Sequence, residues 1–448
     1  MIQIYPDRQH RKGHADRQSH PLLTFAFCLL TFDLFFCQFL RRLKESLGKR
    51  QRPLLLHFAF CILPFALFFC LMSSVAVLSS AQEPPYASIN HSAVNYNGPG
   101  RDSGHDLVGS EIRLGLLAPL AGPRQAEGEA MQRAAQMAVD EENANSLPGG
   151  RRFALVIRDE TGPWGQASAQ IVHLVFDDQA VALITSSEGD AAHLAEQVGN
   201  KIGVPILTLS TDSTTTQINL PWIFRLGPSD AGQAQAFTRD IYQKRGLQRV
   251  LLLSQNDRDG RLGGEAFAQA AGELTAIAPT QMVVDPEKLS AGTMGKEISS
   301  AQAVVIWTDA PTARRLAARV REVQPGVPLY LCRKAVEGDS NIANQPVWPV
   351  GSNRNADAWV AAAPENGKTR DEFNQRYQQR FGVKPGLGAR EAYDAVRILA
   401  AGLRQSGINR ARLRDALAEV SNFTGASGMI SFDHAGNDLT AVTLLKLE

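Results

Sequence analysis

The feature that most constrains the fold is a regular alternation of short apolar runs and amphipathic helices after residue 110. The first run, 112–118, breaks at Pro119, and the helix that follows carries Met131, Ala135 and Val139 on one face. Further apolar runs continue the alternation at 153–159, 181–185, 204–210, 249–254, 281–285, 303–307 and 328–332. Apolar runs separated by such helices are typical of parallel β-sheets buried on both faces. The pattern therefore predicts an α/β fold.

An irregular stretch near 220–230 divides this alternation into two halves of similar length. The division predicts two doubly wound parallel-sheet lobes. Further helices are predicted at 369–381, 389–404 and 409–420, and we interpret the final segments "GMISFDHAGND" and "AVTLLKLE" as a β-hairpin. We assign residues to the first lobe at 111–230 and 360–425, and to the second lobe at 231–359 and 426–448.

The N-terminal residues 1–81 carry a duplicated apolar segment in place of this alternation. Residues 22–37 and 55–70 are identical at 12 of 16 positions. Basic residues before the second copy and small residues near Ala81 are typical of a secretory signal. The length of the apolar stretch also fits an uncleaved membrane anchor, and a start codon further downstream is a third interpretation. We expect a signal or anchor here, as the chain's only membrane contact, and a flexible linker at 82–110.

Charge and motif content exclude several classes of function. Residues 1–80 hold 10 of the 46 Lys and Arg and 4 of the 45 Asp and Glu, which leaves the rest of the chain at a net charge of −5. A mildly acidic body lacks the basic surface that nucleic acid requires. Cys332 is the only cysteine after residue 70, and the sequence contains no CxxC, HExxH, GxSxG or phosphate-loop motif. We therefore expect no metal, no cofactor and no enzyme activity.

Four stretches in a characteristic order carry a family resemblance: "IRLGLLAPLAGP", "IRDETGPWGQASAQ", "GVPILTLSTDSTT" and "GMISFDHAGND". Over residues 111–448 the chain resembles the type I periplasmic solute-binding proteins of the leucine/isoleucine/valine-binding family. The resemblance implies two α/β lobes joined by a hinge that the chain crosses several times, with a cleft that catches a small polar ligand, often an amino acid or amide. It also implies that an ABC permease receives the ligand, and we expect the protein to act as a monomer.

The expected binding site lies beyond the carboxyl ends of the parallel strands, where open α/β sheets hold ligands. The candidate ligand-binding residues at these ends are Asp190, Ser210, Thr211, Asp212, Asp309 and Arg333. The resemblance implies a Ser and a Thr for an amino-acid carboxylate, and an acidic residue with aromatics for its ammonium group. By spacing these positions fall on Gly189, Asp212, Arg333 and Asp309, while Ser210 keeps a place whose carbonyl commonly contacts the amine. The usual amino-acid site is therefore altered in this chain.

Each candidate also has a purely structural interpretation. Asp190 and Asp309 suit helix N-caps, and the run 210–212 suits a cap or turn. Arg333 could close the lobes by pairing with Asp212 or Asp309, or lie on the surface beside Lys334. As ligand-binding groups, the aspartates would attract a cation and the arginine an anion.

Three functions follow from this sequence. The leading hypothesis is an extracytoplasmic binding protein that closes on a small amino-acid- or amide-like ligand for an ABC importer. The alternatives are a membrane-anchored sensing or regulatory domain of the same fold, and a degenerate scaffold whose cleft binds a protein partner.

Overall fold

The computed structural model describes residues 111–447, apart from 145–149, 164, 218–219, 287–293, 337–356 and 363–366. The predicted signal or anchor region and the predicted linker, 1–110 together, lie outside the described residues. Across the part of the chain that is described, no helix has both the length and the apolar character needed to span a bilayer.

The first sheet consists of five parallel strands with almost wholly apolar interiors. The strands are β1 (Glu111–Ala118), β2 (Arg152–Asp159), β3 (Ala182–Thr185), β4 (Ile206–Thr208) and β5 (Ile223–Arg225). Their order is β2-β1-β3-β4-β5, so the chain reverses its direction of travel between β1 and β3. Such a reversal opens a crevice at the carboxyl ends of the two strands, and ligands bind there in open α/β sheets.

Helices cover both faces of this sheet. They are α1 (Gln125–Ala144), α2 (Gln166–Phe176), α3 (Gly189–Ile202) and the single turn α4 (Thr214–Gln217). The apolar stripe of α1 buries Met131, Ala135 and Val139 against one face, as the helical spacing predicted. Ile171 and Leu174 of α2 pack on the other face.

The second sheet repeats the arrangement with β6 (Val250–Gln255), β7 (Thr280–Val284), β8 (Ala303–Trp307), β9 (Leu329–Leu331) and β10 (Ala358–Ala362). Its helices are α5 (Asp230–Thr238), α6 (Arg258–Glu273), α7 (Gly295–Ser300), α8 (Ala310–Val323) and α9 (Arg333–Val336). A π-helical stretch, Arg239–Lys244, extends α5. Strands β7 and β8 lie on opposite sides of β6, so this sheet has the same reversal, with its crevice between β6 and β8.

The chain then returns to the first lobe before finishing in the second. Helices α10 (Gly367–Phe381), α11 (Ala389–Ser406) and α12 (Arg410–Ala418) share the core of the first sheet, and the short strands β11 (Phe423–Thr424) and β12 (Met429–Ile430) pair with each other. The last strand, β13 (Thr443–Leu447), runs antiparallel to β10 and completes the order β13-β10-β9-β8-β6-β7. The predicted two-lobed α/β fold with several crossings is confirmed.

Two details near the crossings differ from the expectation. The predicted C-terminal hairpin is wrong, because Ile430 packs in the first core whereas Leu444 and Leu445 pack against the second. The two apolar segments therefore belong to different lobes, and the residues between them form a crossing. Strand β10 also runs across the predicted boundary at 359/360, since Ala361 is buried in the second core. The pattern of apolar residues could not reveal which core each segment enters.

Candidate functional site

A cleft of about 440 Å3 lies between the lobes, where the carboxyl-end loops of both sheets meet. The first lobe contributes Pro119, Glu160 and Asp190, which follow β1, β2 and β3. The second lobe contributes the loops after β6, β8 and β9, through Gln255, Asp257, Asp309 and Lys334. Its volume falls within the range of roughly 300–1,000 Å3 that is typical of small-molecule sites. We call this cavity the main cleft.

A much smaller cavity of about 10 Å3 adjoins the main cleft and shares Asp257, Asp309 and Lys334 with it. Its other acidic residues are Asp230 and Asp259. The four aspartates lie at the N-terminal ends of α5, α6 and α8, all on the second lobe. We call this cavity the acidic pocket.

Arg124 organises the first-lobe wall of the main cleft. Its guanidinium forms ion pairs of 2.9 Å to Glu127, 3.0 Å to Glu160 and 2.7 Å to Glu188. Burial alone would lower the pKa of Arg124, but the three carboxylates raise it, so the side chain stays charged. Burial raises the pKa of Glu160 to about 7, although Arg124 and a hydrogen bond from the Ser186 hydroxyl oppose the shift. The cation of Arg124 is thus shared among three acids.

Asp212 holds the first lobe to the second through its carboxylate oxygen Oδ2. Oδ1 accepts hydrogen bonds from the Thr214 amide and hydroxyl at 2.8 and 2.6 Å, while Oδ2 lies 3.1 Å from Arg258 on α6 and 3.3 Å from His193 on α3. Burial would raise the pKa of Asp212, but the bonds from His193 and Thr214 hold it well below its usual range. Asp212 is therefore a fully satisfied, ionised carboxylate.

Lys334 forms a second bridge between the lobes. Its ammonium nitrogen lies 2.7 Å from Asp259 in its own lobe and 3.8 Å from Glu188 across the cleft. Burial would lower the pKa of Lys334, but Asp259 and Glu188 together raise it. Within the described residues, seven carboxylates and two cations line the two cavities: Glu160, Glu188, Asp190, Asp230, Asp257, Asp259 and Asp309, with Arg124 and Lys334. The two cavities therefore contain more carboxyl groups than cations.

The model of the family described as periplasmic binding protein matches residues 111–445. This chain belongs to the periplasmic binding protein family. Its relatives include the Leu/Ile/Val-binding protein BraC3 of Rhizobium johnstonii, 22% identical over 340 residues that cover 75% of this chain and 90% of the relative. The resemblance carried by the four sequence stretches is thereby confirmed.

Solved structures show the same fold. The branched-chain amino acid transporter substrate-binding protein LivJ of Streptococcus pneumoniae, in complex with isoleucine, matches with a TM-score of 0.63 at 18% identity, over 75% of this chain and 99% of that chain. An ABC transporter solute-binding protein of R. palustris, in complex with benzoate, matches with a TM-score of 0.64 at 19% identity, over 75% and 93%. Periplasmic binding proteins of this type are extracytoplasmic and bind small solutes for ABC transporters.

Of the candidates in this periplasmic binding protein, Asp190 and Asp309 both line the main cleft. Asp309 is also the N-cap of α8 and accepts a bond of 2.9 Å from the Thr312 amide. Asp190 is no N-cap, because α3 begins at Gly189 and Glu188 holds the cap position. Its exposed carboxylate instead lies 3.6 Å from Arg258. Asp309 thus combines a cap role with a position on the walls of both cavities.

The run 210–212 lies mainly behind the cleft. The buried Ser210 hydroxyl accepts a bond of 3.1 Å from the Asp212 amide, which shapes the turn. Thr211 lines the acidic pocket, and its carbonyl accepts a bond of 2.8 Å from the Asp230 amide of the second lobe. Position 189 is glycine for a steric reason: a Cβ atom there would lie 2.9 Å from both Asp212 Oδ2 and Asp259 Oδ1. The two aspartates occupy the space that a larger side chain would need.

Arg333 lies at the hinge and lines neither cavity. Its guanidinium pairs with Glu391 of α11 at 2.6 Å, beside Gly227 in the first crossing. Of its expected partners, Asp212 pairs with Arg258 instead, and Asp309 accepts a hydrogen bond from the side-chain amide of Gln255. Arg333 does connect the lobes, as one interpretation anticipated, but it does so through Glu391 and away from the main cleft.

Sequence reasoning missed most of the charged residues of the site. Arg124, Glu160 and Glu188 follow β1, β2 and β3, so their position after apolar runs was a usable signal. Asp257, Arg258 and Asp259 stand in "NDRDGRLGGE", which suggests a calcium loop only superficially, and in the described residues no cluster of three or more His, Cys, Asp or Glu could hold a metal ion. The partners of these residues come from distant parts of the chain.

Proposed function

We propose that this periplasmic binding protein captures a small polar ligand, amino-acid- or amide-like in size, between its lobes and passes it as a monomer to an ABC importer. The N-terminal segment 1–81 would direct export, as a signal or as an anchor. The observation that carries the proposal is the main cleft, which draws its walls from the switch points of both sheets and has the volume of a small-molecule site.

Ligand capture requires that contacts to both lobes stabilise the closed arrangement. Residues of opposite lobes already lie within ion-pair distance of each other, such as Lys334 with Glu188 and Arg258 with Asp212. A ligand bound between these walls would add contacts to both, and the hinge crossings would let the lobes separate for release.

A second candidate function is a scaffold that binds a protein partner through a degenerate cleft. The favouring observation is that Asp212, at the position where the family resemblance implies a threonine for the ligand carboxylate, is saturated by Arg258, His193 and Thr214. In that case the ion pairs would replace the ligand as the link between the lobes.

The test is a screen of amino acids, amides, amines and short peptides against the protein purified after export from cells that express the full chain. At 100 times its Kd, a captured ligand should stabilise the folded protein by about 3 kcal/mol and so raise its melting temperature. It should also reduce the radius of gyration in X-ray scattering. The scaffold function replaces ligand capture if no compound in the panel changes the melting temperature or the radius of gyration, and if a protein partner stays bound to the chain through purification.

A further inference from the structure

The acidic pocket contains more carboxylate oxygens than the fold needs. Asp257 caps α6 by accepting a bond of 2.7 Å from the Gly260 amide, and Asp309 caps α8. These two roles account for two of its four aspartates. Asp230 and Asp259 sit within the first turns of α5 and α6, where no side-chain cap is required of them.

Both surplus aspartates are buried and incompletely bonded. Asp230 is 3% exposed and Asp259 is 6% exposed. Within the described residues, Asp230 Oδ2 and Asp259 Oδ1 have no hydrogen-bond partner. An unsatisfied buried acceptor is costly, and more so when it is charged, so two in one pocket indicate a missing donor.

The cations of the site cannot supply that donor, because each is already engaged. Lys334 is held by the second oxygen of Asp259 at 2.7 Å and faces Glu188. Arg124 is bound to three glutamates on the first-lobe wall. Asp230 Oδ2 and Asp259 Oδ1 therefore receive no hydrogen bond from these cations. Burial raises the pKa of Asp230 well above its usual range, although Thr211 and the charge of Arg225 oppose the shift.

The volume of the acidic pocket limits which hydrogen-bond donor of a ligand can enter it. A cavity of about 10 Å3 has room for one water-sized group, which matches the head of a primary ammonium with its three donors. A planar guanidinium with five donors is larger. The pocket adjoins the main cleft, which has room for the rest of a small molecule and is itself lined by Glu160 and Glu188. A ligand carboxylate in that cleft would meet acids and an arginine that is already shared.

We propose that the acidic pocket binds the primary ammonium group of a cationic ligand that lacks a carboxylate, with Asp230 and Asp259 as its specificity-determining residues. The inference rests on the proposed function, because it assigns the ligand class of the same cleft. A small alkylamine, with one or two ammonium groups, is the matching chemistry.

The test uses four probes in isothermal titration calorimetry with the exported full-chain protein: 1,4-diaminobutane, 4-amino-1-butanol, 1,4-butanediol and leucine. The four-carbon series keeps size constant while the number of ammonium groups falls from two to none. We expect both amines to bind, and the diol and leucine to bind at least 100-fold more weakly. Binding of the amines should also weaken as salt rises, because the attraction is electrostatic.

Two variants assign the effect to the pocket. Asp259→Asn and, independently, Asp230→Asn should each weaken the binding of both amines at least tenfold. Circular dichroism shows whether each variant is folded. Glu273→Gln, an exposed change at the far end of α6, is the matched control and should leave binding unchanged.

The outcomes separate the two proposals. Leucine or the diol binding as tightly as the amines, or the absence of amine binding, overturns the ammonium assignment. If leucine alone binds and closes the lobes in X-ray scattering, solute capture stands and only the ligand class is wrong. If no probe binds or closes the lobes, the ammonium assignment fails, and the broader ligand screen decides the proposed function.

Discussion

Buried aspartates lie on both sides of the cleft, but the protein treats them in opposite ways. Behind the first-lobe wall, Asp212 receives hydrogen bonds on one oxygen and ion pairs on the other, and its pKa is held low. On the second-lobe wall, Asp230 and Asp259 each keep an oxygen without a partner in the described residues, and the pKa of Asp230 is raised by burial. A satisfied carboxylate stabilises the fold, whereas an unsatisfied one costs stability and so points to a ligand.

If the first-lobe wall is a closed structural network, removing its central cation should have the largest effect. Arg124→Met would leave Glu127 and Glu160, both with side chains 4% exposed, buried without their shared partner. Breaking a buried pair in this way costs about 3–5 kcal/mol, and urea unfolding should show that loss. Arg133→Met, which removes a half-exposed partner of Glu129 on the same helix, should cost at most about 1 kcal/mol. Equal losses in the two variants would mean that Arg124 is not the centre of a structural network.

The comparison of the two sides of the cleft is tested directly by replacing one aspartate on each side with the isosteric amide. Asp212→Asn removes charge-assisted bonds to Arg258 and His193 and should lower the free energy of unfolding by about 2 kcal/mol. Asp230→Asn removes a carboxylate whose ionisation the fold opposes, so stability at pH 7 should equal or exceed that of the wild type. Parallel urea titrations give both values. A comparable loss for Asp230→Asn would show that its carboxylate is structural, and the contrast between the two sides of the cleft would disappear.

The secondary structure that places these aspartates beside the cleft could be predicted from the sequence. Strands and helices were found because apolar runs and helical spacing are local signals, and the run 303–307 coincides with β8. The strand order determines which strand ends face the cleft, and Asp190 and Asp309, chosen because they follow such ends, line it. The cap at Asp309 was also predictable, because it depends on neighbours within one helical turn.

The charge pairing could not be predicted, because each pair joins residues that are distant in the chain. Arg124 meets Glu160 and Glu188 only when three strand ends come together, and Arg333 meets Glu391 only through the late return of α11. A residue's type gives its charge but not its partner. This is why the sequence located the cleft and yet misjudged Arg333.

The smallest expected effect concerns the pH dependence of the bonds around Asp212, behind the first-lobe wall. Hydrogen bonds to Asp212 and Glu196, against the opposing effect of burial, raise the pKa of His193 from its ordinary value of 6.5 to about 9. The protonated ring therefore stabilises the fold fully below pH 6.5, and that contribution is lost as the pH rises through 9. Between pH 6 and 9.5 the wild type should lose about 1 kcal/mol more unfolding free energy than His193→Gln, because the ring is partly screened by solvent. His173→Gln, which changes an exposed histidine on α2, is the matched control and should follow the wild type. Parallel stability profiles for the wild type and His193→Gln would show that the bonds around Asp212 do not depend on a charged imidazole, and that Asp212 is held by Arg258 and Thr214 alone.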